Sequence, residues 1–266
     1  MKNTALKIAY LGTNFHGFQR QPDFRTVEGE IIYTLKYLDL IDNTRDGRFR
    51  IAGRTDTGVH ALGNVISFFS EKEIRINQIN HKLPDDIKIL AKAPVRYAFR
   101  PRYPYKRKYR YILFDDGLDF ETMQEASQLF VGTHDFTNFS KRIRRTPIRT
   151  IDEIKLTKEN KLILVDITGE SFLWNMVRKM MFALTQVGKG KEKPSYIKEL
   201  LENNYKANVK VMPAENLILM DTIYNGIKFQ YDDYAVERFS RIIQEELDFH
   251  KKSYIIKESI QKSLKK

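Results

Sequence analysis

Asp56, Arg178 and the basic, aromatic stretch around Tyr109 have the clearest chemical potential in this chain. Asp56 lies in the string AGRTDTGVHA, residues 52–61, between Thr55 and Thr57, with Arg54 two positions before it and Gly58 two after. A carboxylate presented this way can act as a nucleophile or as an electrostatic partner for a developing cation. An Asp in a Gly- and Thr-rich turn also commonly bonds its own backbone, and composition alone favours that plainer role. Arg178 sits in Phe172–Leu184, a stretch apolar nearly all round and therefore expected to be a buried helix. An unpaired buried charge is very costly, so Arg178 needs a carboxylate or phosphate partner, or an edge to reach. A structural ion pair and a functional one fit equally well. Tyr109 belongs to Phe99–Tyr111, where basic and aromatic residues interleave. Aromatics stack on unpaired bases and cations meet phosphates, so this is a candidate RNA surface. An exposed edge strand protected by charge is the plainer alternative.

The elements that must hold these side chains follow from periodicity. Thr4–Tyr10 reads as a strand, followed by a loop with Gly12, Asn14, Gly17 and Pro22. Apolar positions 27, 31, 35 and 38 make one face of a helix over Thr26–Leu40, with Thr26 as its N-cap. Arg50–Ala52 and Asn64–Phe69 read as strands, so the Asp56 segment is a loop between sheet elements. Gly53 and Gly58 would give that loop access to positive φ. A short helix over Arg75–Lys82, a turn at Leu83-Pro84-Asp85-Asp86 and an extended Ile87–Val95 complete a β-α-β-β-α-β order, the ferredoxin-like pattern.

A second round begins near Tyr105. It comprises a strand Lys106–Phe114, with Arg107, Tyr109 and Tyr111 on one face, and a helix over Thr122–Val131. A hairpin follows, Ile151–Leu156 and Leu162–Thr168, turning at Lys158-Glu159-Asn160. Then come a long apolar helix Ser171–Val187 capped by Gly188 and a strand Leu217–Tyr224. From Asp232 the chain is Glu/Lys-rich with helical spacing, giving one or two surface helices. The expected fold is α+β. Two ferredoxin-like halves, 1–103 with the Asp56 loop and 104–231 with the aromatic strand and the Arg178 helix, share an extended, mostly antiparallel sheet with a cleft between them. A helical tail, 232–266, completes the chain.

The 266 residues carry 46 Lys+Arg against 34 Asp+Glu, a net charge of +12. That excess favours a polyanionic partner, nucleic acid ahead of acidic membrane, although a solvated basic surface would look the same. Cysteine is absent, which excludes disulfides, thiolate zinc sites and a cysteine nucleophile. The five histidines are scattered without metal-binding spacing, so no metal is expected. No apolar run approaches the length of a membrane span or a secretory h-region. The chain reads as a soluble cytoplasmic protein with no membrane partner.

AGRTDTGVHA resembles the signature of the TruA family of tRNA pseudouridine synthases. FLWNMVRKM, residues 172–180, resembles a second motif of that family, and RKYRY, residues 107–111, a third. YLGTNFHGFQRQ, residues 10–21, matches the family's opening stretch with Phe18 where tryptophan is more usual. LPDDI and GTHDF also match, with His134 and Asp135 read as structural or RNA-facing. PAENL, residues 213–217, departs from the usual pattern in carrying Asn216 for glycine, a residue that also tolerates left-handed backbone. The resemblance spans about Tyr10 to Tyr224 and leaves the tail unassigned.

The resemblance implies a catalytic Asp56, paired with Arg178, which would keep it ionised and aimed. It implies that Tyr109 stacks on the target uracil and is a candidate to take its proton. Arg54 would fill the space left by a flipped nucleotide, and Arg107 would meet a phosphate. Thr55 and His60 in the same decapeptide are expected substrate contacts. So are Arg142 and Arg144, in the basic loop directly after GTHDF. The implied reaction, isomerisation of uridine to pseudouridine at positions 38–40 of the tRNA anticodon stem-loop, gains no atom or electron and needs no cofactor. A homodimer with one tRNA contacting both subunits is implied as well. A synthase acting on other RNA sites, a catalytically silent RNA-binding protein and a metal-dependent nuclease are the alternatives, and no acidic cluster supports the last.

Overall fold

In β1 (Lys2–Tyr10), Leu6, Ile8 and Tyr10 face one side of a sheet while Ala5 and Ala9 face the other, as a period of two requires. Both sets are buried, so this strand is covered on both faces. The computed structural model containing it describes residues 1–141, 146–202 and 206–264; Arg142 and Arg144 lie outside the described residues.

The first half runs β1, α1 (Val27–Tyr37), β2 (Arg50–Ile51), β3 (His60–Ser70), α2 (Ile76–Lys82) and β4 (Ile87–Pro94). Thr26 caps α1, its hydroxyl accepting from the Gly29 amide. Val27, Ile31 and Leu35 fill the core beneath the sheet. The second half runs β5 (Lys106–Phe114), α3 (Phe120–Ser127), β6 (Gly132–Asp135), β7 (Ile148–Glu159), β8 (Leu162–Gly169), α4 (Met176–Gly188), α5 (Ser195–Glu202) and β9 (Leu217–Ile223). The chain then returns to the first half. A two-residue β10 (Gln230–Tyr231) pairs with β4, and α6 (Asp233–Leu264) seats Phe239 against Ala9 and Leu90.

The ten strands of the described residues join one sheet in the order β10-β4-β1-β3-β9-β5-β8-β7-β6, with β2 on β3 beside that path. Each half shows the same internal order, β4-β1-β3-β2 and β9-β5-β8-β7, which is the ferredoxin-like arrangement. Among the described residues every strand pairing is antiparallel except β3 with β9, where His60 and Ala61 meet Ile218 and Leu219. That short parallel contact is the seam between halves. Gly63 makes it close: a Cβ there would lie 2.7 Å from the Asp221 Cα and from the Met220 carbonyl oxygen. Lys7 of β1 reaches across to Asp221 at 2.6 Å, and the pair is largely buried. The two cores touch at the seam, for Tyr109 packs against both and Leu219 of β9 belongs to the first half's core.

Several expectations need correction. The Arg178 helix begins at Met176, not Ser171, because Asn175 adopts left-handed backbone (φ 63°) and the chain crosses irregularly from β8. Gly188 is the last residue of α4 and not its left-handed cap. It is small because a Cβ would overlap Met123, and the left-handed residue is Gly190 (φ 64°). Asn216 is not left-handed either; its Nδ2 donates to the Ile112 carbonyl and extends the β5–β9 contact. The α3 helix stops at Ser127 and tightens into a 3-10 turn through Phe130. Helix α5 was legible and missed, since Ile197, Leu200 and Leu201 lie at helical spacing and are buried; β6 and β10, four and two residues long, are too short to show a period.

Candidate active site

The loop 52–59 leaves β2 after two residues and is held from several sides. The Ala52 amide donates to the Val65 carbonyl at 2.7 Å, and Asn64 Nδ2 donates to the Gly53 carbonyl at 3.1 Å. The opening motif supports it from below: the Phe18 amide donates to the Thr55 carbonyl at 3.1 Å, and Gly17 turns beneath it at φ 84°. Thr55 Oγ1 lies 2.9 Å from the Tyr10 hydroxyl, which also accepts from Asn64. Burial pushes that phenol well above its ordinary range, so it is a fixed neutral bridge. Thr55 is thus engaged inside the protein. Of the two loop glycines only Gly58 has positive φ (86°), making the turn in which the Val59 amide reaches the Asp56 carbonyl. Gly53 is not left-handed.

The Asp56 side chain does not cap its own turn. It points across the seam to the second half. Trp174 Nε1 donates to Oδ1 at 2.9 Å, and Arg178 Nη1 donates to Oδ2 at 3.1 Å. Because α4 starts late, Arg178 lies in its first turn rather than its middle, and its side chain is only 16% exposed. Its Nε donates to the Met212 carbonyl at 2.6 Å and Nη1 also reaches Asn175 Oδ1 at 3.3 Å. The guanidinium is therefore locked by three acceptors, one of them the carboxylate. A largely buried pair held this way supports geometry more than stability, since desolvation offsets much of the attraction.

Tyr109 of β5 stands on the seam beside this carboxylate, its ring edge-on to Phe172 at 5.0 Å between centroids. Burial is the main cause pushing its phenol up; Asp56 adds to that and the Arg107 cation opposes it. The phenol is therefore protonated near neutral pH. Arg107 itself donates to the carbonyls of Ala52, Glu170 and Arg102 at 3.0–3.2 Å, tying the loop to β5 and to the end of β8. Those bonds make it a brace. His60 is likewise occupied. Its Nδ1 accepts from the Gly12 amide at 3.1 Å, so Nε2 carries the proton and donates to the Glu215 carbonyl at 3.1 Å. Burial lowers its pKa, against the pull of the Glu215 backbone. Arg54 is exposed, and among the described residues no hydrogen bond or ion pair engages its side chain.

Beyond the Arg107 brace lies an open groove of about 840 Å³ lined by Phe99, Arg100, Tyr103, Tyr105, Lys106 and Glu170 among others. It does not contain Asp56. It combines aromatic rings with two cations, Arg100 and Lys106, and two acids, Asp152 and Glu170, with Lys106 3.5 Å from Asp152. Among the described residues no group of three or more His, Asp or Glu could hold a metal ion, and no helix is long and apolar enough to cross a membrane.

Trp174 is the site residue that sequence reasoning missed. It falls between the identifying letters of its motif. The available signal was that the only tryptophan of the chain precedes the expected buried arginine by four residues.

A family model described as tRNA pseudouridine synthase matches residues 126–225, which include Trp174 and Arg178. The chain is 56% identical to the protein named tRNA pseudouridine synthase A of Methanobrevibacter smithii, covering 99% of this chain and 98% of that one. It is 46% identical to the protein of that name from Methanothermobacter thermautotrophicus, over 100% of this chain and 97% of the other. The Pyrococcus furiosus protein of that name is 41% identical over 92% of each. Among solved structures, a Cbf5–Nop10–Gar1 complex overlaps at 14% identity with a TM-score of 0.37; this chain covers 44% of the chain it matches there.

Proposed function

The chain belongs to the tRNA pseudouridine synthase A family and forms pseudouridine in tRNA, and we propose that Asp56 is the carboxylate that carries out the reaction. The observation that carries this reading is the convergence of two donors from one half on a single carboxylate from the other. The reaction breaks the bond between uracil N1 and ribose C1′ and forms one between C5 and C1′. C5 gives up a proton and N1 gains one, so atoms and electrons balance without a cofactor. Asp56 serves as the nucleophile, and Arg178 balances its charge and fixes Oδ2. Tyr109, on the seam, stacks on the extruded uracil and is the candidate to take the C5 proton.

Arg54 is free to enter the space vacated in the RNA stack. Arg107 contributes by holding the loop, and the groove past it receives neighbouring nucleotides. The substrate uridines are those at positions 38–40 of the anticodon stem-loop, with the enzyme acting in the cytoplasm as a homodimer.

An unmodified tRNA transcript carrying tritium at uracil C5 tests this. Wild type should release tritium without added metal, Asp56→Asn should lose on the order of 10⁴-fold or more, and mapping should place the product at 38–40. Tritium release by Asp56→Asn at the wild-type rate would overturn the role of Asp56. Product elsewhere in the tRNA would identify a synthase of different site choice.

A further inference from the structure

Trp174 is 48% exposed, yet its indole N–H is spent on a carboxylate. Nearby groups hold it there. Asn175, the next residue, is in the left-handed region at φ 63°, which only a few non-glycine residues tolerate. That single turn lets Trp174 reach Asp56 from the residue before it and Arg178 from the first turn after it, while Asn175 Oδ1 steadies Arg178. Each oxygen of Asp56 thus has its own donor. One donor alone would leave the carboxylate free to rotate about its Cβ–Cγ bond. Two donors from a rigid helix start define its plane, the preorganisation that reactions of bound groups require.

The outer side of the indole is equally specific. The Lys141 ammonium lies 4.7 Å from the ring centroid, and the Lys141 amide donates to the Trp174 carbonyl at 3.2 Å. Lys179 of α4 in turn donates to the carbonyls of Asn138 and Ser140, which fixes the segment leading to Lys141. A half-exposed aromatic ring carrying a cation, directly beside the reacting carboxylate, has the chemistry of a nucleotide contact: a stacking surface with a phosphate partner.

We infer that Trp174 is a positioning residue of the reaction and the outer wall of the uridine pocket. Its N–H fixes Oδ1 of Asp56, and its exposed ring, with Lys141, meets the RNA. This rests on the reading of Asp56 as the reacting carboxylate.

Two substitutions separate the two roles. Trp174→Phe keeps a ring and removes only the donor; Trp174→Ala removes both. Single-turnover tritium release and filter binding to the same tRNA give rate and Kd separately. Trp174→Phe should slow the rate about 10- to 100-fold, the loss expected for a hydrogen bond to a charged group, with Kd within twofold of wild type. Trp174→Ala should in addition weaken binding by about fivefold or more, the loss of one stacking contact. Trp174 is the chain's only tryptophan, so its emission reports this site alone. In the wild type the emission should change as tRNA saturates, and in Asp56→Ala the unliganded emission should already differ.

Trp174→Phe turning over at the wild-type rate overturns the positioning role. Emission indifferent to bound tRNA overturns the wall. Tritium release by Asp56→Asn at the wild-type rate overturns the reading of Asp56, and this inference with it. Since Trp174 is half exposed, both variants should melt within a few degrees of wild type.

Discussion

In the second half of the sheet, β7 runs for twelve residues and turns at Asn160, in left-handed backbone at φ 55°, straight into β8. In the first half its counterpart β2 keeps only Arg50 and Ile51, and the chain then leaves the sheet for the loop that carries Asp56. The strand order is the same and the use is opposite. Because β2 pairs with β3 only at Ser67 and Ile66, the other end of that edge, at His60 and Ala61, is open for β9. The lost strand length therefore supplies both the joint between the halves and the loop at that joint. The hairpin is held by its own ladder of hydrogen bonds. The loop is held by partners far apart in sequence: Phe18, Asn64, Arg107 and, at its tip, Trp174 and Arg178.

If the loop works only because the second half answers it, removing the answer should cost most. Arg178→Ala leaves a carboxylate without its cation, and catalysis should fall roughly 10²-fold or more at unchanged tRNA affinity. Single-turnover kinetics with parallel binding would check this, and wild-type turnover would break the comparison. Next in size is the seam. Gly63→Ala places a Cβ 2.7 Å from β9 backbone and should cost about 1–3 kcal/mol in urea unfolding, with loss of activity because Asp56 and its donors are pushed apart. Asn160→Ala at the hairpin turn should cost about 1 kcal/mol through its left-handed backbone and leave turnover intact. Equal losses of activity in the two variants would erase the distinction between a self-sufficient hairpin and a joint.

The smallest effect is expected from pH. Burial depresses the pKa of His60, so the folded protein favours its neutral form, in which Nδ1 accepts from Gly12 and Nε2 donates to Glu215. The stability this gives is present above the unfolded pKa, near 6.5, and is lost as pH falls through the lower folded value. Melting temperature should therefore decline on acidification from neutral pH in the wild type, and less steeply in His60→Asn. Matching slopes would remove His60 from the clamp that ties the first half to the Glu215 turn.

Much of this architecture is legible from residue order. Period-two alternation in Leu6-Ile8-Tyr10, the Thr26 cap and the Asn160 turn are local effects, governed by neighbours a few positions away, and local rules identify them. The Asp56 loop and the need of Arg178 for an anion were legible for the same reason. Glycine, threonine and an isolated carboxylate mark a loop, and a cation among Met, Leu and Phe demands a partner.

Other features depended on residues distant in the chain. The late start of α4 follows from the crossing off β8, and moves Arg178 from mid-helix to the first turn. Arg107 and His60, both plausible RNA contacts by type, are drawn onto backbone carbonyls and an amide that only the assembled seam brings near. Trp174 reaches Asp56 across 118 positions of sequence, a contact that no spacing rule encodes. Residue order thus identified Asp56 and Arg178 as groups that could do chemistry, and the loop and helix that carry them. Folding settled which groups are free to do it, because a buried donor or acceptor must be satisfied by whatever polar group the packing brings within about 3 Å.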